Sequence, residues 1–259
     1  MTSTLDTRCP TAHVAEVWLN RPEVRNAFND GVITELTEAF RSLSVDRQLR
    51  GILLGGRGKA FCAGADLSWM RPMAGYDWVQ NQAAARLAEM LMTAWSCPVP
   101  VVGRIHGDCY AGGLGLAAVC DVLVAAHGVQ FCLSEARLGL LPATIAPCVV
   151  PALGEQTPRR YFVTAERFDA ATALALGFVH EVVPAEALDE RVAAIDGALL
   201  AGGPAAVRAC KRLLNDGAGR PLDAELRDET VHRIDGIRAS DEGREGVAAF
   251  LAKRDPSWR

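Results

Sequence analysis

The chain has little of what several function classes require. No apolar run reaches the ~18 residues that cross a bilayer, and the longest candidate, Gly112 to Ala126, is interrupted by Asp121. Basic charge is not in excess: 27 Lys and Arg stand against 31 Asp and Glu, a formal net charge of -4. Nucleic acid rewards the opposite balance, so neither nucleic acid nor a membrane is expected as a partner. Histidine is sparse, and His13, His106, His127, His180 and His232 form no H-x-x-x-H pair. No two cysteines are spaced C-x-x-C. No metal site is therefore expected. Gly58-Lys59 is followed by Ala60, which rules out a Walker A loop. No serine sits in a nucleophile elbow, and no G-x-G-x-x-G follows a strand. Fixed-period repeats and low-complexity segments are missing as well.

The opening MTSTLDTRCP has neither the basic start nor the apolar stretch of a secretion signal. Most of the eight cysteines (9, 62, 97, 109, 120, 132, 148 and 210) lie inside apolar segments. Buried, reduced thiols in a cytoplasmic protein are the expectation. What is present is a globular composition, 50% hydrophobic and 22% charged over 259 residues. A 27.7 kDa chain folds to roughly 11,000 Å² of surface from about 40,000 Å² when extended, enough for a full core without disulfides or metal.

Patterning predicts strands at Val14 to Leu19, at Gly51 to Leu54 (closed by Gly55-Gly56), at Pro98 to Ile105 and at Asp121 to Ala126. Asn29 or Asp30 can cap a helix to about Val45, with Val32, Ile33, Leu36, Phe40 and Leu43 on one face. Further helices are predicted at Gln80 to Trp95 and from Gly112. The alternation of strands and helices predicts an α/β fold. After about Ala185 the sequence turns Ala- and Leu-rich and helical. That part packs either on a neighbouring subunit or as a helical layer on its own domain; the pattern leaves both open.

Three segments carry chemistry. Phe61-Cys62-Ala63-Gly64-Ala65-Asp66-Leu67 follows a buried strand, and its small residues let a ligand approach the backbone, although a tight surface turn would look alike. Gly107 to Leu116 follows a strand and opens a helix, where free N–H groups suit developing negative charge. Close helix-on-sheet packing needs the same small residues. Glu135 is the only acid in an apolar stretch, and burial would raise its pKa toward neutral proton transfer. A pair with Arg137 or a helix cap is the alternative.

Taken together, these segments resemble the crotonase (enoyl-CoA hydratase/isomerase) superfamily. The likeness runs from Leu19-Asn20-Arg21-Pro22-Glu23-Val24-Arg25-Asn26-Ala27-Phe28 through FCAGADL at 61–67 and the GG-x-G-x-AA-x-CD run at Gly112 to Asp121. It continues through Phe131 to Pro142 and Leu176 to Val183, and ends at Phe250 to Arg254. The resemblance implies a crotonase-like spiral of ββα units over 1–195 and a helical trimerisation region over 196–259, giving trimers or hexamers built as dimers of trimers. It implies an acyl-CoA substrate, with coenzyme A carried in the thioester and no separate cofactor. The backbone N–H groups of Ala65 and Gly112 would hold the thioester oxygen, and Glu135 would transfer the proton. Arg25, Ala63, Asp66 and Leu67 would line the coenzyme A side, together with Lys253 from a neighbouring chain.

The sequence also departs from the hydratase pattern. Of two glutamates twenty positions apart, the second matches Glu135 and the first falls at Gly115. Ala143 to Pro147 replaces a glycine-rich stretch. One carboxylate suffices for delta3,delta2-isomerisation, yet 131–162 most closely resembles bacterial methylglutaconyl-CoA hydratase-like proteins of leucine and branched isoprenoid acid breakdown. The implied activity is hydro-lyase, with Glu135 alone or helped by Asp108 or a substrate carboxylate. A double-bond isomerase and a catalytically weak scaffold of the same fold are the alternatives. Trp69 to Trp78 is expected to build part of the acyl pocket.

Overall fold

An antiparallel hairpin opens the chain, β1 (Leu5–Arg8) with β2 (Val14–Leu19). The computed structural model describes residues 3–77 and 83–259. Helix α1 (Asp30–Val45) follows, capped by the Asn29 carboxamide oxygen, which accepts the Val32 N–H at 3.0 Å. Its predicted apolar stripe is the buried one.

Three turns of strand, strand and helix come next. The first holds β3 (Gly51–Gly56), β4 (Ala60–Cys62), α2 (Leu67–Met73) and α3 (Ala83–Ser96). The second holds β5 (Val101–Ile105), β6 (Asp108–Tyr110) and α4 (Gly112–Ala118). The third holds β7 (Val122–Ala126), β8 (Gln130–Cys132), α5 (Ala146–Leu153) and α6 (Gln156–Thr164). Then come β9 (Arg167–Asp169), α7 (Ala170–Ala175) and β10 (Glu181–Val183). The first strand of each turn joins a six-stranded sheet, β1-β2-β3-β5-β7-β10, and the second joins a four-stranded sheet, β4-β6-β8-β9. This is the spiral of ββα units that the resemblance implies: each turn adds one parallel strand to each sheet. Strand β3 is buried along its whole length, which is why it reads as a continuous apolar run.

Some boundaries differ from the sequence expectation. Gly55 and Gly56 continue β3 rather than closing it, because they pair with Trp18 and Leu19 and the Trp18 indole lies over Gly55. Strand β5 starts at Val101, since Pro98 and Pro100 have no N–H to give a ladder. The helix predicted from Gln80 is described from Ala83; Gln80 lies outside the described residues. Cys62, Cys97, Cys109 and Cys132 are buried, whereas Cys9 and Cys210 are exposed.

The C-terminal part is α8 (Leu188–Ala201), α9 (Pro204–Gly217), α10 (Ala224–Ala239) and α11 (Asp241–Leu251). The change to helix falls at α8, which contains the 195/196 division. Helix α9 is fastened to the chain's own spiral. The buried Lys211 ammonium meets Asp121 Oδ2 at 2.6 Å and donates to the Val99 carbonyl at 3.2 Å. Asp121 also accepts the Val101 N–H at 2.7 Å. Helix α8 buries Leu188 and Val192, but α9, α10 and α11 bury little: Lys211 is the buried residue of α9, Ala249 that of α11, and α10 has none.

Candidate active site

The three chemistry-bearing segments lie at one end of the small sheet. Parallel strands place their C-terminal ends together, and ligands of α/β proteins bind there. Ala63-Gly64-Ala65 leaves β4, Ala111-Gly112 leaves β6, and Leu133-Ser134-Glu135 leaves β8. They surround a pocket of about 600 Å³ lined by Arg25, Ala63, Ala65, Asp66, Leu67, Gly112 and Glu135. The remaining wall is mostly apolar, including Phe28, Met70, Leu87, Leu138, Leu141 and Ile145.

Two residues on this lining, Ala65 and Gly112, have backbone N–H groups without an acceptor among the described residues. Phe28 N–H donates to the Gly64 carbonyl at 2.7 Å, and Asp66 N–H donates to the Phe28 carbonyl at 2.9 Å. These bonds flank Ala65 in a parallel bridge. The Ala65 N–H therefore points away from Phe28, and it meets no acceptor among the described residues. Gly64 sits at φ +88°, and a Cβ there would come within 2.8 Å of the Ala111 Cβ. That absent side chain lets the loop after β4 lie against the start of α4.

Ala111 holds the second donor in place. Its φ of 49° and ψ of -120° are strained for a residue with a Cβ. The strain is held from both sides. The Ala111 N–H donates to the Cys132 carbonyl at 2.8 Å, and the Ala111 carbonyl accepts the Leu114 N–H at 2.9 Å. The kink leaves the Gly112 N–H, first of α4, on the pocket wall without an acceptor among the described residues.

Glu135 faces the same space. It opens a short 3-10 turn, Glu135–Leu138, immediately after β8. One carboxylate oxygen, Oε2, is buried and has no hydrogen-bond partner. Burial pushes its carboxyl above the ordinary range, with a smaller opposing effect from its own backbone N–H. No ion pair joins it to Arg137 among the described residues, and it caps no helix by its side chain. A half-buried glutamate with one buried, unpartnered oxygen, on the same lining as two N–H groups without acceptors, can move a proton while an oxyanion forms.

The other sequence candidates are placed as follows. Asp66 is 6% exposed. Its carboxylate caps α2 through the Ser68 N–H at 2.9 Å and pairs with Arg21 at 2.8 Å. The Ser68 hydroxyl, then Arg21, hold it below the usual carboxylate range against the cost of burial. Its side chain is thus spent on the scaffold. Arg25 is exposed at the mouth, at φ 53°, while Ala63 N–H donates to its carbonyl at 3.0 Å. Leu67 is exposed on the rim. Lys253 lies in the turn after α11 and is not on the pocket lining of its own chain. Asp108 is on β6 and also stays off the lining. Trp69 lines the pocket, whereas Trp78 lies outside the described residues.

Two residues not named among the sequence candidates, Arg21 and Asn26, support the site. Arg21 donates to the Ala27 carbonyl at 2.7 Å besides pairing with Asp66. Asn26, buried at φ 56°, donates to the Arg57 and Ala60 carbonyls at 2.8 Å each and accepts the Arg21 N–H at 2.9 Å. Together they fix the Arg25–Phe28 loop against the strand ends. Their sequence signal is a place in the Leu19 to Phe28 stretch of the family likeness; on residue pattern alone Asn20-Arg21-Pro22 reads as an ordinary turn.

A family model described as enoyl-CoA hydratase/isomerase matches residues 10–259. The chain belongs to the enoyl-CoA hydratase/isomerase family. A solved enoyl-CoA hydratase from Shewanella pealeana is 38% identical with a TM-score of 0.94, covering 98% of this chain and 96% of that one. A solved enoyl-CoA hydratase/isomerase from Marinobacter aquaeolei is 29% identical with a TM-score of 0.92, covering 98% of each chain. A crotonyl-CoA hydratase from Syntrophomonas wolfei is 30% identical over 247 residues, 95% of this chain and 94% of that one. On the lining of this pocket of the enoyl-CoA hydratase/isomerase family member, the carboxylates are Glu23, Asp66 and Glu135. Glu23 is exposed on the rim and Asp66 is tied to Arg21 and Ser68, so Glu135 is the free carboxyl inside.

Proposed function

We propose that the protein hydrates a 2-enoyl-CoA thioester. The observation that carries this reading is the half-buried Glu135, whose Oε2 is buried and unpartnered, lining one pocket with Ala65 and Gly112, whose N–H groups have no acceptor among the described residues. The thioester oxygen sits between the N–H groups of Ala65 and Gly112. Water adds to Cβ of the double bond as the C=C electron pair shifts toward the carbonyl, giving an enolate on that oxygen. Glu135 takes the proton lost by the water and returns it to Cα as the enolate collapses. The sum is one water added, with Glu135 restored, so one carboxylate balances the reaction. Dehydration is the same path reversed. The pocket-lining positions of Arg25, Ala63, Asp66 and Leu67 support a coenzyme A path across the rim. Names of relatives that are hydratases over nearly the full chain support the same direction.

A second reading rests on one specific observation, the missing carboxylate at Gly115. Glu135 could take a proton from Cα of a 3-enoyl-CoA and return it to Cγ, an isomerisation that uses no water. Incubation in heavy water with a panel of enoyl-CoAs, followed by chromatography and mass spectrometry, tests both. Product heavier by one water supports hydration. Deuterium uptake with a shifted double bond and no added water overturns hydration in favour of isomerisation.

The exposed apolar faces of α9 to α11 support a homotrimer or a hexamer, in which Lys253 of a neighbouring copy would reach the coenzyme A phosphates. The unpaired cysteines, two of them exposed, support a reducing compartment such as the cytoplasm.

A further inference from the structure

We propose that Ile145, seated on Gly115, forms the inner wall of the acyl chamber, and that this wall restricts the site to enoyl-CoAs with an uncharged acyl chain of limited length. The proposal rests on the enoyl-CoA reading above and narrows its substrate class.

Gly115 lies three residues after Gly112 on α4, so it faces the same side one turn deeper. A Cβ at Gly115 would fall 2.5 Å from Ile145 Cγ2, 2.8 Å from Ile145 Cβ and 3.4 Å from Leu91 Cδ1. The Ile145 side chain thus occupies the space that any side chain at 115 would need. Ile145 is 2% exposed and still lines the pocket. Its carbonyl accepts the Val149 N–H at 2.9 Å, which ties it to the first turn of α5. A β-branched residue with a fixed backbone and a packed rear face has little freedom to swing aside. The wall is therefore rigid.

Polarity changes across the pocket. Glu23 and Arg25 lie exposed at the rim beside the exposed Leu138 and Leu141, while the deeper apolar lining is the half-buried Met70 and Leu87 and the buried Phe28 and Ile145; Asp66, Ser134, Glu135 and Thr144 are the other polar residues on the lining. Among the described residues Arg25 is the one cation on the lining, and 78–82 contain no Lys, Arg or His. A carboxylate carried toward Ile145 would be desolvated on an apolar wall that shares its pocket with Glu135, and the one cation on this chain's described lining, Arg25, lies exposed at the rim. An alkyl chain would bury against leucines and Ile145.

The test measures wild type, Ile145→Ala and Ile145→Phe with short, medium and long straight-chain 2-enoyl-CoAs, and with a dicarboxylic analogue. Binding of the matching saturated acyl-CoAs is followed by calorimetry, a readout independent of turnover. Ile145→Ala should move the preferred length upward, gaining about fourfold in kcat/KM and affinity for each further methylene accommodated. Ile145→Phe should move it downward. Wild type should bind the dicarboxylic acyl-CoA at least tenfold more weakly than the neutral one of equal length. Losses that run parallel across all lengths in both variants, or preference for the dicarboxylic ligand, overturn the proposal. If wild type converts none of the enoyl-CoAs, the hydratase reading fails, while a length dependence in binding that moves with residue 145 still upholds the wall.

Discussion

At the scale of the residue, the proposed hydration rests on Glu135. Its raised pKa comes from burial rather than from a charged neighbour. The base must start ionised, so kcat/KM should fall as pH drops, with an acid limb lying above the usual carboxylate range. Glu135→Gln keeps the shape and removes the base. It should lower kcat by about 10²- to 10⁴-fold, erase the acid limb, and leave acyl-CoA affinity within a few-fold, because the oxygen-holding donors are backbone groups. A pH–rate profile beside calorimetric titration checks all three. Glu135 was legible in the sequence because a lone acid in an apolar stretch stands out. Ile145 was not, because its meaning depends on lying over Gly115, thirty positions away. Asp66 was legible only in part: its place in the motif put it on the pocket, but its pairing with Arg21 is a tertiary fact.

At the scale of the element, the site depends on one strained link. Ala111 holds φ 49° and ψ -120° between β6 and α4, a conformation glycine adopts freely. Ala111→Gly should relieve strain of the order of 1–3 kcal/mol, partly offset by greater freedom in the unfolded chain. Net stability should rise by up to about 1 kcal/mol in urea titration. The same change loosens the hinge that aims the Gly112 N–H, so kcat should fall several-fold while KM changes less. Unchanged kcat would mean that the Cys132 and Leu114 hydrogen bonds alone fix the donor. Strands and helices were legible because β3 is apolar throughout and α1 keeps a helical stripe under an Asn29 cap. The small-sheet strands were not, because β4, β6 and β8 each hold three residues, too few to show a period. Yet that sheet is what gathers the site.

At the scale of the whole molecule, the layers are joined by buried polar contacts whose protonation matters. Asp196 on α8 packs near Gly51 of β3, and its Oδ1 is buried without a partner. Burial, and then the nearby Glu16 carboxylate, push its pKa from 3.8 to about 6. The folded state holds that proton more tightly than the unfolded chain does. The resulting stabilisation is complete below about pH 4 and is lost as pH rises through 6. Asp196→Asn should therefore stabilise the fold by about 1–2 kcal/mol at pH 7, a value reduced for partial exposure, and by nothing at pH 3.5. Denaturant titrations of both proteins at the two pH values test the difference. An equal effect at both would mean that packing, and not charge, distinguishes them.

The same scale bears on assembly. The isolated chain exposes 13,926 Å², about a quarter more than a compact monomer of its mass. The excess fits helices that fasten to the spiral at Lys211 and bury little else. An apolar groove between α9 and α10, lined by Ala206, Ala209, Leu213, Ile234 and Ile237, is left open. Phe250 and Leu251 on α11 are 82% and 75% exposed. Exposed apolar area of this kind is what the proposed contact between copies would cover. Leu213→Asp places a charge in the groove without touching the Lys211–Asp121 anchor, so light scattering should report a shift from an oligomer toward monomer. Circular dichroism should stay that of the native fold, because Leu213 is 39% exposed in the single chain. If Lys253 of a neighbouring copy reaches coenzyme A, dissociation should also raise KM while the Glu135 pH limb stays in place. A wild-type protein that remains monomeric at high concentration would show that this groove serves another partner.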